Sequence, residues 1–238
     1  MPASDNMGPT TTHIYEHPWF VRFTHWTSAV AVFVLALSGL QIFNAFPSFG
    51  PKIPQHDVVA SIPSLLRLGG WLGGALRRHF TFMWIFAGGG LLYVTAQLTS
   101  GRYRTVLFGP KDVPGVWPMV RHYFFFGAEP PQGEPYNPLQ KLAYTSAVLL
   151  GAVLLLTGAV MYKPVQLSLL GTVFGGYHAA RVVHFIATCA LLAFVPGHLI
   201  MVVLHGWDNF VSILTGWKAH VQTPSPRSGE MLTKKEIQ

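Results

Sequence analysis

The sequence predicts an all-α integral membrane protein, a four-helix bundle. Half of the 238 residues are hydrophobic and only 11% are charged, whereas about 25% of a typical soluble domain is charged. Four long stretches contain no Lys, Arg, Asp or Glu, and histidines lie within them or at their ends. The single cysteine excludes an internal disulfide, and no C-x-x-C-H motif offers covalent haem attachment.

Each uncharged stretch is long enough to cross a membrane as a helix. The stretches contain 18, 19, 21 and 23 residues, close to the roughly 20 that a spanning helix needs. Core helices of soluble proteins are rarely so long without a charge, because one of their faces meets water. The predicted spans are residues 26–43, 80–98, 142–162 and 182–204.

The spans and their connections indicate one membrane domain with a polar segment at each end of the chain. The apolar part of the first connection, residues 58–76, contains Pro63, Arg67 and four glycines, so we predict an interfacial segment rather than a fifth span. We find no convincing internal repeat. The predicted organisation is a cytoplasmic N-terminal segment (1–20), a four-helix transmembrane domain (21–218) and a disordered cytoplasmic tail (219–238).

The distribution of Lys and Arg predicts the orientation. With the N-terminus inside, ten of these residues lie on the inner side and six on the outer side, which favours both termini in the cytoplasm. The net charge of +7 then reflects cytoplasmic segments that face anionic lipid. It does not require a nucleic-acid partner.

Four histidines fall at two matched depths in this topology. His184 and His198 are fourteen residues apart, which corresponds to about 21 Å of helix rise and leaves both imidazoles on nearly one helix face. His25 directly precedes the first span, at the inner depth of His198, and His79 directly precedes the second span, at the outer depth of His184. Each pair joins two helices, as a haem between two axial imidazoles requires.

Two other interpretations of these histidines stay open. They can be polar groups that hydrogen-bond helices together in a haem-free membrane anchor. They can also serve a transporter as proton relays or as a metal site. A transporter of this kind predicts acidic partners within the spans, and the four spans contain none.

Four motifs in order resemble the bacterial di-haem cytochrome b family. They are HPWFVRFTHW at residues 17–26, HFTFMW at 79–84, YNPLQK at 136–141, and the helix of His184 and His198. The family includes the γ subunit of respiratory formate dehydrogenase, the cytochrome b of nickel–iron hydrogenases and the thiosulfate reductase cytochrome b subunit. The resemblance covers about residues 17–218 and implies four helices, two b haems and quinone chemistry near the inner haem.

The resemblance also implies roles for single residues. His25 and His198 would ligate the inner haem iron, and His79 and His184 the outer one. The approach to the third span matches the family's quinone segment at Asn137, Gln140 and Lys141, although Leu139 stands where the family often has Gly.

The quinone segment has a second interpretation, since Asn137-Pro138 is also a strong helix start. Lys141 and His205 are candidates for supplying protons to the quinone, and His205 can equally be an interfacial histidine or a competing haem ligand.

The function implied is that of an electron-transfer subunit in the bacterial inner (plasma) membrane. Electrons would pass between a peripheral redox subunit on the outer face and menaquinone or ubiquinone, through the two haems. A molybdenum enzyme, a hydrogenase or an iron–sulfur subunit fits this outer position equally well. The chain would then be an anchor and an electron carrier, and it would not be the primary catalyst.

Overall fold

The computed structural model describes residues 10–45, 47, 62–125, 136–204 and 206–222. Helices dominate this part of the chain. In chain order the elements are β1 (Thr10–Tyr15), α1 (Trp19–Ala45), α2 (Leu72–Thr99), α3 (Tyr103–Val106), α4 (Val113–Phe125), α5 (Pro138–Tyr162), α6 (Ser168–Val173), α7 (Tyr177–Leu204), α8 (Trp207–Thr215) and β2 (Trp217–Gln222). Two short 3-10 turns, Ser64–Leu66 and Pro110–Asp112, lie in the connections.

The four predicted spans are confirmed as helices α1, α2, α5 and α7, which are long and apolar enough to cross a membrane. Each helix extends beyond its uncharged stretch: α1 already begins at Trp19 and α2 at Leu72. A transmembrane helix can continue past the hydrocarbon region, because charged and aromatic side chains are accommodated at the membrane interface. Hydropathy therefore locates the spans but not their ends.

The predicted interfacial segment at residues 58–76 lies partly outside the described residues, which resume at Ile62. From there the chain forms the 3-10 turn Ser64–Leu66, and α2 begins at Leu72. The Leu68 N–H donates to the Leu37 carbonyl of α1 across 3.0 Å. No fifth helix of spanning length occurs in the part of this connection that the structure describes.

Helix α5 begins with a reciprocal cap at Asn137. The Gln140 N–H donates to Asn137 Oδ1 at 2.9 Å, and the Asn137 N–H donates to Gln140 Oε1 at 3.1 Å. Pro138 occupies the first helical position, where its missing N–H costs nothing and its fixed φ suits the helix. Two of the backbone groups that every helix start leaves unpaired are thus satisfied.

The chain divides into two compact units, of which Phe23–Leu199 is the larger. Its interior is lined by small and hydroxyl-bearing residues, including the fully buried Ala31, Ser38 and Thr157. Large apolar side chains such as Phe33 and Trp84 point outward. Close packing through small residues with an apolar exterior is the pattern of helices that face lipid.

The smaller unit, Met1–Arg22 with Ile200–Gln238, is built from the two ends of the chain. Strands β1 and β2 pair antiparallel, from Thr10 opposite Gln222 to Tyr15 opposite Trp217. A left-handed residue, Gly216 at φ 93°, ends α8 and turns the chain into β2. A Cβ at this position would lie 2.7 Å from the Tyr15 ring, so the turn requires glycine.

This pairing corrects the prediction of a tail that is disordered from residue 219. Residues 219–222 belong to β2, while the rest of the predicted tail lies outside the described residues. No local pattern predicted this strand, because its partner β1 lies about two hundred residues earlier in the chain.

Candidate functional site

The structure brings the four predicted histidines together in two pairs. The ring centroids of His25 on α1 and His198 on α7 are 6.1 Å apart, with an angle of 56° between the rings. The centroids of His79 on α2 and His184 on α7 are 6.4 Å apart, with an angle of 60°. These are the two combinations that helix depth predicted, and α7 contributes one histidine to each.

The spacing within each pair fits an iron atom between two imidazoles. A metal–imidazole bond is about 2 Å long, and a ring nitrogen lies about 1.1 Å from its centroid, so two imidazoles on opposite sides of one metal have centroids about 6.2 Å apart. Both observed separations lie within a few tenths of an ångström of this value. If the two rings of each pair were instead hydrogen-bonded directly to each other, nothing would require both centroid separations to be about 6.2 Å.

Helix α1 orients the His79 ring. His79 Nδ1 lies 3.1 Å from the Leu35 carbonyl oxygen and 3.1 Å from Ser38 Oγ. A carbonyl oxygen only accepts hydrogen bonds, so Nδ1 carries the proton. The lone pair is then on Nε2, the arrangement that a metal-binding histidine requires.

Helix α5, which has no histidine, orients the His184 ring in the same way. His184 Nδ1 lies 3.0 Å from Thr157 Oγ1, and the Leu154 carbonyl is a second hydrogen-bond partner. Sequence reasoning missed both Ser38 and Thr157. A single hydroxyl in a membrane helix is common, and only the contact with an imidazole distinguishes these two.

Two glycines lie against the same two rings. A Cβ on Gly39 would lie 3.3 Å from His79 Cε1, and a Cβ on Gly158 would lie 3.4 Å from His184 Cε1. The absence of these side chains lets the helix backbones approach the imidazoles. At the same end of the bundle, Arg67 Nε is buried without a hydrogen-bond partner among the described residues. An unpaired guanidinium nitrogen suits a carboxylate, the group that a haem propionate carries.

The predicted quinone segment lies at the start of α5. Asn137 and Gln140 form the reciprocal cap, and Asn137 Nδ2 donates to the Tyr123 hydroxyl of α4 at 3.3 Å. Lys141 is buried, and its ammonium donates to Asp112 Oδ1 at 2.9 Å. The fourth residue of the prediction, His205, lies outside the described residues.

Asp112 is held as a carboxylate by its surroundings. The Gly109 N–H donates to its second oxygen at 2.8 Å. This bond, together with the Lys141 ammonium, lowers the pKa of Asp112 from its ordinary value. Lys141 was predicted from the sequence but its partner Asp112 was not, since Asp112 lies twenty-nine residues earlier in the chain.

A small groove lies between α2, α3 and the first half of α5. Its wall is almost wholly apolar, and within it the Gln97 side-chain amide donates to the Tyr93 hydroxyl at 2.8 Å. Gln97 Oε1 is buried without a partner in the described part of the chain. The groove residues are Tyr93, Val94, Gln97, Leu98, Tyr103, Val106, Leu107, Tyr144 and Val148.

The fold and the site define a class of protein: a four-helix membrane protein with two histidine pairs inside its bundle. Residues 16–216 match the prokaryotic cytochrome b561 family. The chain belongs to this family, which implies b-type haem, and it is a membrane protein of electron transport. The resemblance to bacterial cytochromes b is thereby confirmed.

Three relatives support the assignment. A putative protein-methionine-sulfoxide reductase subunit, YedZ1, of Azospira oryzae is 39% identical over 79% of this chain and 90% of its own length. A probable Ni/Fe-hydrogenase B-type cytochrome subunit of Bradyrhizobium diazoefficiens is 26% identical, over 81% and 78%. A protein of the same name from Cupriavidus necator is 31% identical, over 63% and 58%.

Proposed function

We propose that the chain is a di-haem cytochrome b that anchors a redox enzyme to the membrane and connects it with the quinone pool. The observation that carries this proposal is the pair of histidine spacings, 6.1 and 6.4 Å. Each pair has the ring separation expected for two imidazoles on one metal ion, and the chain belongs to a family of b-type cytochromes. We therefore propose one haem at each of the two pairs.

Each site would be held by two helices. His25 and His198 would hold one haem, and His79 and His184 the other. A bound haem supplies an iron that gains and loses one electron reversibly. The protein contributes the ligands, their orientation through the Nδ1 hydrogen bonds of His79 and His184, and an apolar surrounding that excludes water. Along α7 the two ligands differ in depth by about 21 Å, so the sites lie toward opposite membrane faces.

The redox partner would dock at the end of the bundle that holds His79 and His184. The relatives are named as subunits of a methionine sulfoxide reductase and of Ni/Fe hydrogenases. A peripheral oxidoreductase of this broad kind is therefore the partner that we propose.

We place the protein in the bacterial inner membrane with both termini in the cytoplasm. The excess of Lys and Arg on the inner side supports this orientation. The pairing of β1 with β2 is consistent with it, because it requires both chain ends on one side of the membrane.

Quinone would react near the inner site, at the start of α5. Asn137, Gln140, Lys141 and His205 remain the residues proposed for it. The Asn137–Tyr123 hydrogen bond supports a polar group at this depth. Because the cap and the Asp112 ion pair already engage Asn137, Gln140 and Lys141, a quinone oxygen would share their hydrogen bonds.

The deciding experiment is a haem count. The purified protein should give two b haems per polypeptide in a pyridine haemochrome spectrum. A haem content near zero would contradict the proposal and favour a haem-free anchor. Purification in mild detergent, with mass spectrometry of the subunits that accompany the chain, tests the partner. A chain that never brings a redox subunit with it would contradict the anchoring role.

A further inference from the structure

A six-residue pattern occurs once on α1 and once on α5. Residues 34–39 read VLALSG and residues 153–158 read VLLLTG. Both segments contain Val, Leu, a hydrophobic residue, Leu, a hydroxyl residue and Gly in the same order. This short repeat becomes apparent only in the structure, because both copies contact a histidine of the same pair.

The hydroxyl groups of the two copies have the same hydrogen bonds. Ser38 Oγ donates to the Val34 carbonyl, and Thr157 Oγ1 donates to the Val153 carbonyl, each at 2.6 Å. Each hydroxyl proton is thus directed to the carbonyl four residues earlier. The oxygen lone pairs remain for an outside donor, and in both cases this donor is an imidazole Nδ1–H, at 3.1 Å for His79 and 3.0 Å for His184.

The backbone of each copy completes the contact. The carbonyl three residues before the hydroxyl, Leu35 or Leu154, is a second partner for the same ring. The glycine that follows the hydroxyl leaves the space that the imidazole occupies. Both hydroxyl residues are fully buried, at 0% exposed, so bulk water does not compete for these hydrogen bonds.

We propose that Ser38 and Thr157 are positioning residues that fix the ring orientation and the tautomer of His79 and His184 and lower the reduction potential of the haem between them. The inference rests on the proposed haem function. A hydrogen-bond acceptor at Nδ1 makes an imidazole a more basic ligand. A more basic ligand stabilises the higher oxidation state of iron, which lowers the potential.

The test uses the whole protein with its haems and three changes: Ser38→Ala, Thr157→Val and the double variant. Each haem is titrated potentiometrically, and its low-spin electron paramagnetic resonance signal is recorded. In the double variant, the equilibrium between oxidised and reduced iron at the His79–His184 site should move about tenfold toward the reduced form, which corresponds to about 59 mV for one electron. The potential of the second haem serves as an internal reference and should not change.

Two further variants separate positioning from a merely structural role. Thr157→Ser keeps the hydroxyl and should retain the wild-type potential and signal. Thr188→Val removes a hydroxyl that donates to the His184 backbone carbonyl at 2.8 Å, on the same helix as His184, and should leave both potentials unchanged.

The outcomes are distinct. A wild-type protein without haem would overturn the proposed function together with this inference. Two haems in the wild type with unchanged potentials in the double variant would overturn only the inference. Loss of haem confined to the His79–His184 site would support it. If Thr157→Val loses both haems equally while Thr188→Val keeps both, Thr157 has only a structural role. That result would overturn its proposed positioning role.

Discussion

The ammonium of Lys141 and the carboxylate of Asp112 face each other across 2.9 Å, and the two side chains are only 1% and 6% exposed. Lys141 lies in the first turn of α5, whereas Asp112 ends the 3-10 turn that precedes α4. Two buried charges are tolerated while each compensates the other. This ion pair therefore fixes the connection between α2 and α5 to the start of the third spanning helix.

Removing one partner should be costly. We expect Lys141→Ala to reduce the free energy of unfolding more than the control variant below does, because the Asp112 carboxylate then loses the cation that compensates its charge. Chemical unfolding in detergent, followed by circular dichroism, measures the change. The matched control is Lys218→Ala, which breaks a half-exposed pair with Glu16 at 3.6 Å and should cost at most about 1 kcal/mol. Equal losses in the two variants would contradict the role of burial.

The same carboxylate should make stability sensitive to acid. The Gly109 N–H and Lys141 lower the pKa of Asp112 in the folded protein below its ordinary value of 3.8. The resulting stabilisation is fully present above pH 3.8 and is lost as the pH falls through the folded pKa, because the unfolded chain binds the proton first. Asp112→Asn should remove this part of the acid dependence below pH 3.8, while the exposed Asp208→Asn should not. Identical acid unfolding curves for wild type and Asp112→Asn would exclude the effect.

The two histidines of α7 should control different haems. His184→Ala and His198→Ala should each leave about one b haem per polypeptide, because each removes a ligand from one pair. His178→Ala is the control, since His178 is an exposed residue at the start of the same helix and should keep both haems. Helicity is measured beside the haem count, because metal sites can couple to folding. A variant of His184 or His198 that retains two low-spin haems would show that the ligand assignment is wrong.

Replacing glycine by alanine should affect haem content differently from one position to another, depending on which atoms the new Cβ would contact. Gly39→Ala should reduce haem content at the His79–His184 site, because the new Cβ would lie 3.3 Å from His79 Cε1, closer than most carbon contacts allow. Gly90→Ala on α2 should leave the haem content unchanged and is expected to stabilise the helix by up to about 1 kcal/mol, since nothing lies within 4 Å of its Cβ position. A haem spectrum of each variant measures the effect, and a full haem complement in Gly39→Ala would mean that the His79 ring has room to shift.

The start of α5 should influence the reaction with quinone. We expect Gln140→Ala to keep both haems and to slow haem reduction by a quinol analogue about tenfold, equivalent to about 1.4 kcal/mol of lost transition-state stabilisation. Asn137→Ser is the informative control, because serine retains the helix cap but loses the amide that donates to Tyr123. Stopped-flow rates equal to wild type in both variants would limit these residues to capping and would favour His205 as the quinone group.

The sequence by itself determined the four spans and the pairing of the histidines. A hydrocarbon environment demands about 20 apolar residues per helix, so composition alone reveals the spans. The rise and rotation of an α-helix are constant, so fourteen residues between His184 and His198 already place two imidazoles on one face at opposite depths. The matching of His25 with His198 and of His79 with His184 followed from depth, and the structure has both pairs.

Only the tertiary structure decided which groups surround those histidines. The contacts of Ser38 and Thr157 depend on how α1 and α5 are rotated about their own axes, and uncharged helices of similar hydrophobicity all round carry no signal for that rotation. Asp112 contacts Lys141, and β1 pairs with β2. In both cases the path of the chain between the two partners depends on long-range contacts. Helix geometry is local and can be derived from spacing, whereas these partners are set by the packing of segments far apart in the chain.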